Sequence, residues 1–349
     1  MRVIKLTNKL PILAITMGDP SGIGPEIVTK ALNEKSIYEI CKPVVVGDAS
    51  VLIQAAKIVG VDLEVRSIES ISEAKFIYGT IDVVDLKLID INELKYGQVQ
   101  AMSGNGAFQY VKKAIELALN KEVDGTVTSP INKESMNLAG YHYSGHTEIY
   151  AELTNTKDYA MMLADGPLRV VHVSTHVPLR KACDLVKKDR VIKVIKLAHN
   201  AMKNLGFDNP KIGVAGLNPH SSENGLFGTE EKEEIIPAIL ESQREGINVE
   251  GPVAADTIFS KAKGGQYDVV IAMYHDQGHI PLKVSGFVWN EFIKKWDNIS
   301  GVNVTLGLPI IRSSVDHGTA FGKAGKGTAN HESLVHAIEY GAKLANQNK

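Results

Sequence analysis

The stretch YDVVIAMYHDQGHIPLK, residues 267–283, opens on an unbroken apolar run and closes on two histidines four residues apart. The run YDVVIAMY is short, rich in β-branched residues and apolar throughout, the pattern of a strand buried on both faces. Similar runs recur: ILAIT at 12–16, PVVVG at 43–47, GTVTS at 125–129, RVVHVS at 169–174 and KIGVAG at 211–216. Amphipathic helical stretches lie between several of them, such as GAFQYVKKAIELALNK from Gly106, DRVIKVIKLAHNAMKNL before residue 211, and a last helix, SLVHAIEYGAKLANQ. This alternation predicts an α/β protein with a mostly parallel sheet covered on both faces.

The two histidines pose a second question. On a helix, His275 and His279 would share one face, as metal ligands do in a zinc-protease helix. Gly278 between them and Pro281 after them disfavour a regular helix through 275–283. The segment is therefore expected to leave the strand as a loop, with His279 outside any ligand set.

Composition narrows the classes. The chain has 349 residues, 44% hydrophobic and 22% charged, with 31 glycines that suit tight βα turns. A net charge of −2 gives no electrostatic case for nucleic acid or an anionic membrane. Cys41 and Cys183 form no CxxC pair, which argues against a disulfide framework or a thiolate metal site. No stretch approaches the roughly 18 apolar residues of a membrane span, and the N-terminal apolar run ends in Asp-Pro rather than a cleavage site. A cytoplasmic enzyme is the expectation.

His176, His220 and His275 each fall within a few residues of the carboxyl end of an expected strand. Ligands of open parallel sheets bind at that edge, and three neutral imidazoles there would suit a divalent transition metal with open positions. The alternative is three unrelated loop residues, since intervals of 44 and 55 residues enforce no convergence. His142, His172, His199, His331 and His336 need no special role. Lys283, Arg312 and the SGHTE stretch with His146 and Thr147 are sensible contacts for a small, doubly anionic substrate. MGDPSGIGPEIVTKAL leads into a helix that Ser21 or Gly22 could cap, leaving N–H groups for an anion. It is neither a Walker loop nor a GxGxxG fingerprint.

Several long motifs, in order over about residues 12–330, resemble the PdxA family, the 4-hydroxythreonine-4-phosphate dehydrogenases. They are ITMGDPSGIGPEI, SGHTEIYAELT, STHVPLR, GLNPHSSENGLFGTEE, GPVAADTIF, AMYHDQGHIPLK and GVNVTLGLPIIRSSVDHGTA. HGTAFGKAGKGTAN at 317–330 also resembles the adenosine-side NAD loop of isocitrate and isopropylmalate dehydrogenases. The resemblance implies two α/β/α domains flanking a central active-site cleft. One would comprise residues 1–130 plus 302–349 and hold the NAD loop; the other, 131–301, would carry metal and substrate residues and a dimer interface. It implies a divalent cation (Zn²⁺, Co²⁺ or Mg²⁺) on His176, His220 and His275. Substrate contacts would come from His146, Thr147, Lys283, Asn303 and Arg312. NAD would be held by the loop containing His317, Gly318, Thr319, Ala320 and Asn330, and a homodimer would share its active site between subunits. The implied reaction is oxidation at C3 of a 4-phosphorylated four-carbon acid, followed by decarboxylation. Lys283 is expected to transfer the proton, as a lysine beside a cation, with Asp256 and Asp276 as relay or orienting groups.

Within the family, His279 stands where members of the vitamin B6 branch usually have an apolar residue. DYAMML and HVSTHVPLRKACD are more similar to the branch acting on 4-phospho-D-threonate and 4-phospho-D-erythronate, which yields dihydroxyacetone phosphate. That branch is the expectation, with 4-hydroxy-L-threonine 4-phosphate oxidation as the alternative. VWNEFIKKWDNIS at 288–300 reads as an insertion, either a surface elaboration or a lid. A metal-dependent phosphatase or a non-catalytic binding protein would leave the 317–330 loop or the full residue set unexplained.

Overall fold

A computed structural model describes residues 10–291, 295–299 and 301–347. The chain forms two compact units, one ending at Thr156 and resuming at Leu308, the other spanning Lys157–Gly307.

The first unit begins with β1 (Ile12–Thr16), α1 (Gly24–Ala31), α2 (Lys35–Ile40), β2 (Lys42–Gly47) and α3 (Ala49–Val59). It continues with β3 (Glu64–Ile68), β4 (Thr80–Asp85), α4 (Ala101–Leu119), β5 (Gly125–Thr128), α5 (Lys133–Leu138) and α6 (His146–Leu153). The second unit holds β6 (Ala160–Asp165), β7 (Leu168–His172), α7 (Leu179–Leu185), α8 (Lys188–Asn204), β8 (Ile212–Ala215) and α9 (Ile236–Arg244). Then come β9 (Val249–Val253), α10 (Ala255–Lys263), β10 (Val269–Ala272), α11 (His275–Gly286), β11 (Phe287–Asn290), β12 (Lys295–Ile299) and β13 (Val302–Leu306). The chain returns to the first unit with β14 (Arg312–Val315) and α12 (Glu332–Gln347).

The first unit's strands run β3-β4-β2-β1-β5-β14, all parallel. The central β1 is fully buried at Leu13, Ala14 and Ile15, with α4 and α12 packed against it. Continuous apolar strands follow from that two-sided cover. The second unit's strands run β13-β6-β7-β10-β8-β9. β7, β10, β8 and β9 are parallel, whereas β6 pairs antiparallel with β7 and β13, its hairpin turning at Gly166 with φ +52.

The division between units differs from the expected one. Residues 131–156 stay with the first unit because Met136, Ile149 and Tyr150 complete a core with Phe108, Val111 and Ile115 of α4. His146 and Thr147 therefore belong to the first unit, and Asn303, on β13, to the second.

The expected loop at 275–283 is instead helical. α11 runs through both Gly278 and Pro281. A Cβ on Gly278 would lie 2.3 Å from His172 Nε2 and 2.7 Å from Val170 Cγ1, so the glycine lets helix backbone settle directly onto β7. Pro281 forfeits one intrahelical hydrogen bond, a loss that packing against β6 and β7 offsets. The segment read as an insertion contributes an antiparallel hairpin, β11 with β12, in which Trp289 is in register with Trp296. Its residues 292–294 and 300 lie outside the described residues.

Candidate active site

Three segments leave the carboxyl edge of the adjacent parallel strands β7, β10 and β8, two of them loops and the third the start of α11, and each carries one candidate ligand. His176 follows β7, His275 follows β10, and His220 follows β8. The His176 and His275 rings stand 5.8 Å apart, on a cavity of about 420 Å³ that Tyr274 and Asp276 also line. His220 lines a neighbouring cavity of about 370 Å³ with Asp256, Gln277 and, again, Tyr274. Among the described residues, no three His, Cys, Asp or Glu side chains are close enough together to hold an ion. The segments are juxtaposed, but the three rings do not meet at a point.

The donor chemistry nevertheless suits a divalent cation. His275 Nδ1 lies 2.6 Å from Asp276 Oδ1, and His220 Nδ1 lies 2.7 Å from Glu223 Oε1. A carboxylate only accepts, so each Nδ1 carries a proton, and in the neutral tautomer it is Nε2 that offers a lone pair to a cation. Metal-binding imidazoles are commonly oriented by such carboxylates.

Side chains that the motif spacing does not point to shape these segments. Gln277 accepts from Met273 N at 2.7 Å and donates to Gly216 O at 2.8 Å, tying the ends of β10 and β8 together. Buried Glu231 accepts from the Leu217 and Asn218 amides, fixing the approach to His220. Beyond it the backbone is left-handed at five consecutive non-glycine residues, His220 to Asn224. Such conformations are strained and cluster at functional sites.

The helical α11 also brings back His279. Its ring stacks on His275 with centroids 3.6 Å apart and planes 12° apart, and its Nδ1 donates to His275 O at 2.9 Å. The ground for separating His279 from His275 therefore fails, because the two rings do share a helix face. His172, 4.7 Å from His279, is fully buried, and desolvation holds its imidazole down at about 3. Lys283 lies further along α11 and Asn303 on β13, where Asn303 Oδ1 is buried without a hydrogen-bond partner. Asp256 sits in the first turn of α10.

In the first unit, Arg312 is buried at the start of β14, donating from Nη2 to Thr128 Oγ1 and facing the Tyr150 ring at 5.5 Å. His146 starts α6, next to Thr147. Burial, with Arg312 adding to it, pushes the His146 imidazole well below its ordinary range, and its Nε2 has no hydrogen-bond partner. A buried guanidinium beside a neutral imidazole is suited to a desolvated anion.

The start of α1 is not an anion site of the expected kind. Ile23, not Ser21 or Gly22, is its N-cap, and a Cβ on Gly24 would meet Met17 O at 2.3 Å. That helix end is closed by the chain itself. Ile23 N donates to Thr319 O in the 317–330 loop. In that loop Ala320 is left-handed, His317 Nδ1 bonds Gly318 O, and Asn330 Oδ1 accepts from Glu332 N at the start of α12. Gly318 and Gly322 have open space where a Cβ would stand, leaving loop backbone accessible to a ligand.

The family model for the pyridoxal phosphate biosynthetic protein PdxA matches residues 39–341. The chain belongs to the PdxA family. It is 49% identical over 342 residues to a protein of Oceanobacillus iheyensis named "Putative D-threonate 4-phosphate dehydrogenase", covering 97% of this chain and 99% of that one. A Clostridium botulinum protein of the same name is 48% identical over 340 residues, covering 97% and 98%. Among solved structures, a 4-hydroxythreonine-4-phosphate dehydrogenase from Burkholderia phymatum matches with TM-score 0.83 at 46% identity, covering 97% and 99%. The Klebsiella pneumoniae enzyme of that name matches with TM-score 0.84 at 43% identity, covering 96% and 99%. The α/β fold is thus that of PdxA structures, and the chain is a PdxA-family oxidoreductase. EutD phosphotransacetylase from Staphylococcus aureus, 12% identical with TM-score 0.54, shares the fold alone.

Proposed function

We propose that this PdxA-family enzyme oxidises C3 of 4-phospho-D-threonate or 4-phospho-D-erythronate with NAD and a divalent cation, and that the keto acid then decarboxylates to dihydroxyacetone phosphate. The observation that carries the substrate choice is identity of 46–49% over nearly the whole chain to relatives named for D-threonate 4-phosphate. The names of the solved structures, and the family description, favour a second reading in which the substrate is 4-hydroxy-L-threonine 4-phosphate. The two acids differ at C2, hydroxyl against amine.

His176, His220 and His275 would hold the cation, with Asp276 and Glu223 orienting two of the rings. Thr319, Ala320 and Asn330, with His317 and Gly318, would hold the dinucleotide. When bound, the dinucleotide supplies the hydride acceptor and the cation supplies Lewis-acid assistance at the hydroxyl being oxidised. Arg312, His146, Thr147 and Asn303 bind and orient the carboxylate and phosphate groups. Lys283 accepts the C3 hydroxyl proton as the C3 hydride departs; the C1–C2 bond then breaks, CO2 leaves, and C2 takes up a proton. Asp256, which lines the same cavity as His220, would relay that proton or orient the ring.

NAD reduction is measured with both phosphorylated acids, with and without added Zn²⁺, Co²⁺ or Mg²⁺. Metal-dependent turnover of the threonate or erythronate phosphate is expected. A clear preference for 4-hydroxythreonine 4-phosphate would move the enzyme to the second reading, and phosphate release without NAD reduction would refute both.

A further inference from the structure

Outside the residues assigned above, the most heavily committed buried charge near a candidate binding loop is Glu26 on α1. It is 1% exposed, and both its oxygens are used: Oε1 accepts from Gly325 N at 2.6 Å and Oε2 from Gly327 N at 2.8 Å. Lys30 lies four residues on, a spacing that shares a helix face. It donates to Gly327 O and Ala329 O, each at 2.7 Å. One turn of α1 thus grips the 317–330 loop by two amides and two carbonyls.

The loop is shaped to be gripped in this way. Gly325 and Gly327 sit at φ +76 and +66, conformations that favour glycine. A Cβ on Gly327 would lie 2.7 Å from Ile58 O, and one on Gly325 would lie 3.1 Å from the Tyr96 ring. Amides of glycine-rich turns commonly form a concavity that takes an external anion. Here the anion is built into the protein. The Gly325 and Gly327 amides are already engaged and are not available to a phosphate.

We infer that Glu26, with Lys30, is a positioning pair that pre-organises the dinucleotide loop, and that the loop presents its binding face through this internal carboxylate rather than by cradling pyrophosphate on its glycine amides. The inference rests on the dinucleotide reading of the loop.

Its test is calorimetric titration of NAD⁺ and of ADP-ribose into the wild-type protein, Glu26→Gln and Lys30→Met, with amide hydrogen exchange on the peptide spanning Gly325 and Gly327. In Glu26→Gln, an amide group faces the two glycine N–H donors and can accept at one end only. Loss of the clamp lowers the binding-competent fraction of the loop, so roughly ten-fold weaker binding of both ligands is expected. Exchange of the 325–327 amides should quicken, and the kinetic loss should fall on KM for NAD and not on KM for the phosphorylated acid. If Glu26→Gln fails to fold, Lys30→Met carries the test with the carboxylate intact. Wild-type protein that binds NAD⁺ alongside variants that bind it within two-fold would overturn the inference alone. Wild-type protein that binds neither NAD⁺ nor ADP-ribose would overturn the dinucleotide reading, and the inference with it.

Discussion

Asp19 gives a prediction that depends on neither metal nor cofactor. Its side chain is fully buried just after β1, with Oδ1 accepting from Ser21 N at 2.8 Å and Oδ2 lacking a hydrogen bond of ordinary geometry. Desolvation raises its carboxyl from 3.8 to about 6, against the smaller opposing pull of its hydrogen-bonding neighbours. A carboxyl raised on folding stabilises the native state only while protonated. That contribution is complete below pH 3.8, falls away as pH rises through about 6, and is then absent. The span is roughly two units, or about 3 kcal/mol in all. About half is already lost by pH 5, so between pH 5 and pH 7.5 the wild type loses a further ~1.4 kcal/mol through this group. Asp19→Asn keeps an oxygen for Ser21 N and cannot ionise. Urea unfolding of the two proteins at pH 5, 6 and 7.5 should therefore show the stability of Asp19→Asn, relative to wild type, rising by about 1.4 kcal/mol across that range, whatever the offset at pH 5. A difference that is flat with pH, or that moves the other way, would refute the assignment of a protonated, desolvated Asp19.

Two further substitutions probe α11. Gly278→Ala would gain about 1 kcal/mol of helix propensity. It should still lower the unfolding midpoint by a few degrees, because the new Cβ would stand 2.3 Å from His172 Nε2 and 2.7 Å from Val170 Cγ1, an overlap at the upper end of the overpacking cost, about 3 kcal/mol, that leaves a net loss of ~2 kcal/mol. An unchanged midpoint in a thermal melt would mean that the helix does not lie directly on β7. Lys283→Ala should lower kcat by about 10²-fold or more at saturating substrate if Lys283 moves the proton. Steady-state kinetics showing kcat intact and only KM raised would make it a binding residue.

The layered α/β class, six of the ten parallel strands among the described residues (β1, β2, β5, β7, β8 and β10) and the placement of His176, His220 and His275 after strand ends were readable in the order of residues alone. Those features rest on local periodicity: an apolar run buried on both faces signals a strand, and the residues just beyond it must lie at the sheet edge. The family motifs carried the rest of the residue set. What was misread needed contacts distant in sequence. Gly278 and Pro281 are helix breakers by local rule, yet α11 forms because β7 offers His172 and Val170 as a surface onto which only a glycine can settle. The unit boundary moved because α4 supplies the core for Ile149 and Tyr150. Glu26 meets Gly325 across 299 residues, and Gln277 reaches Gly216 across 61. No spacing in a single sequence encodes those two contacts. They exist because strand order brings remote loop ends together, where buried polar groups must find partners.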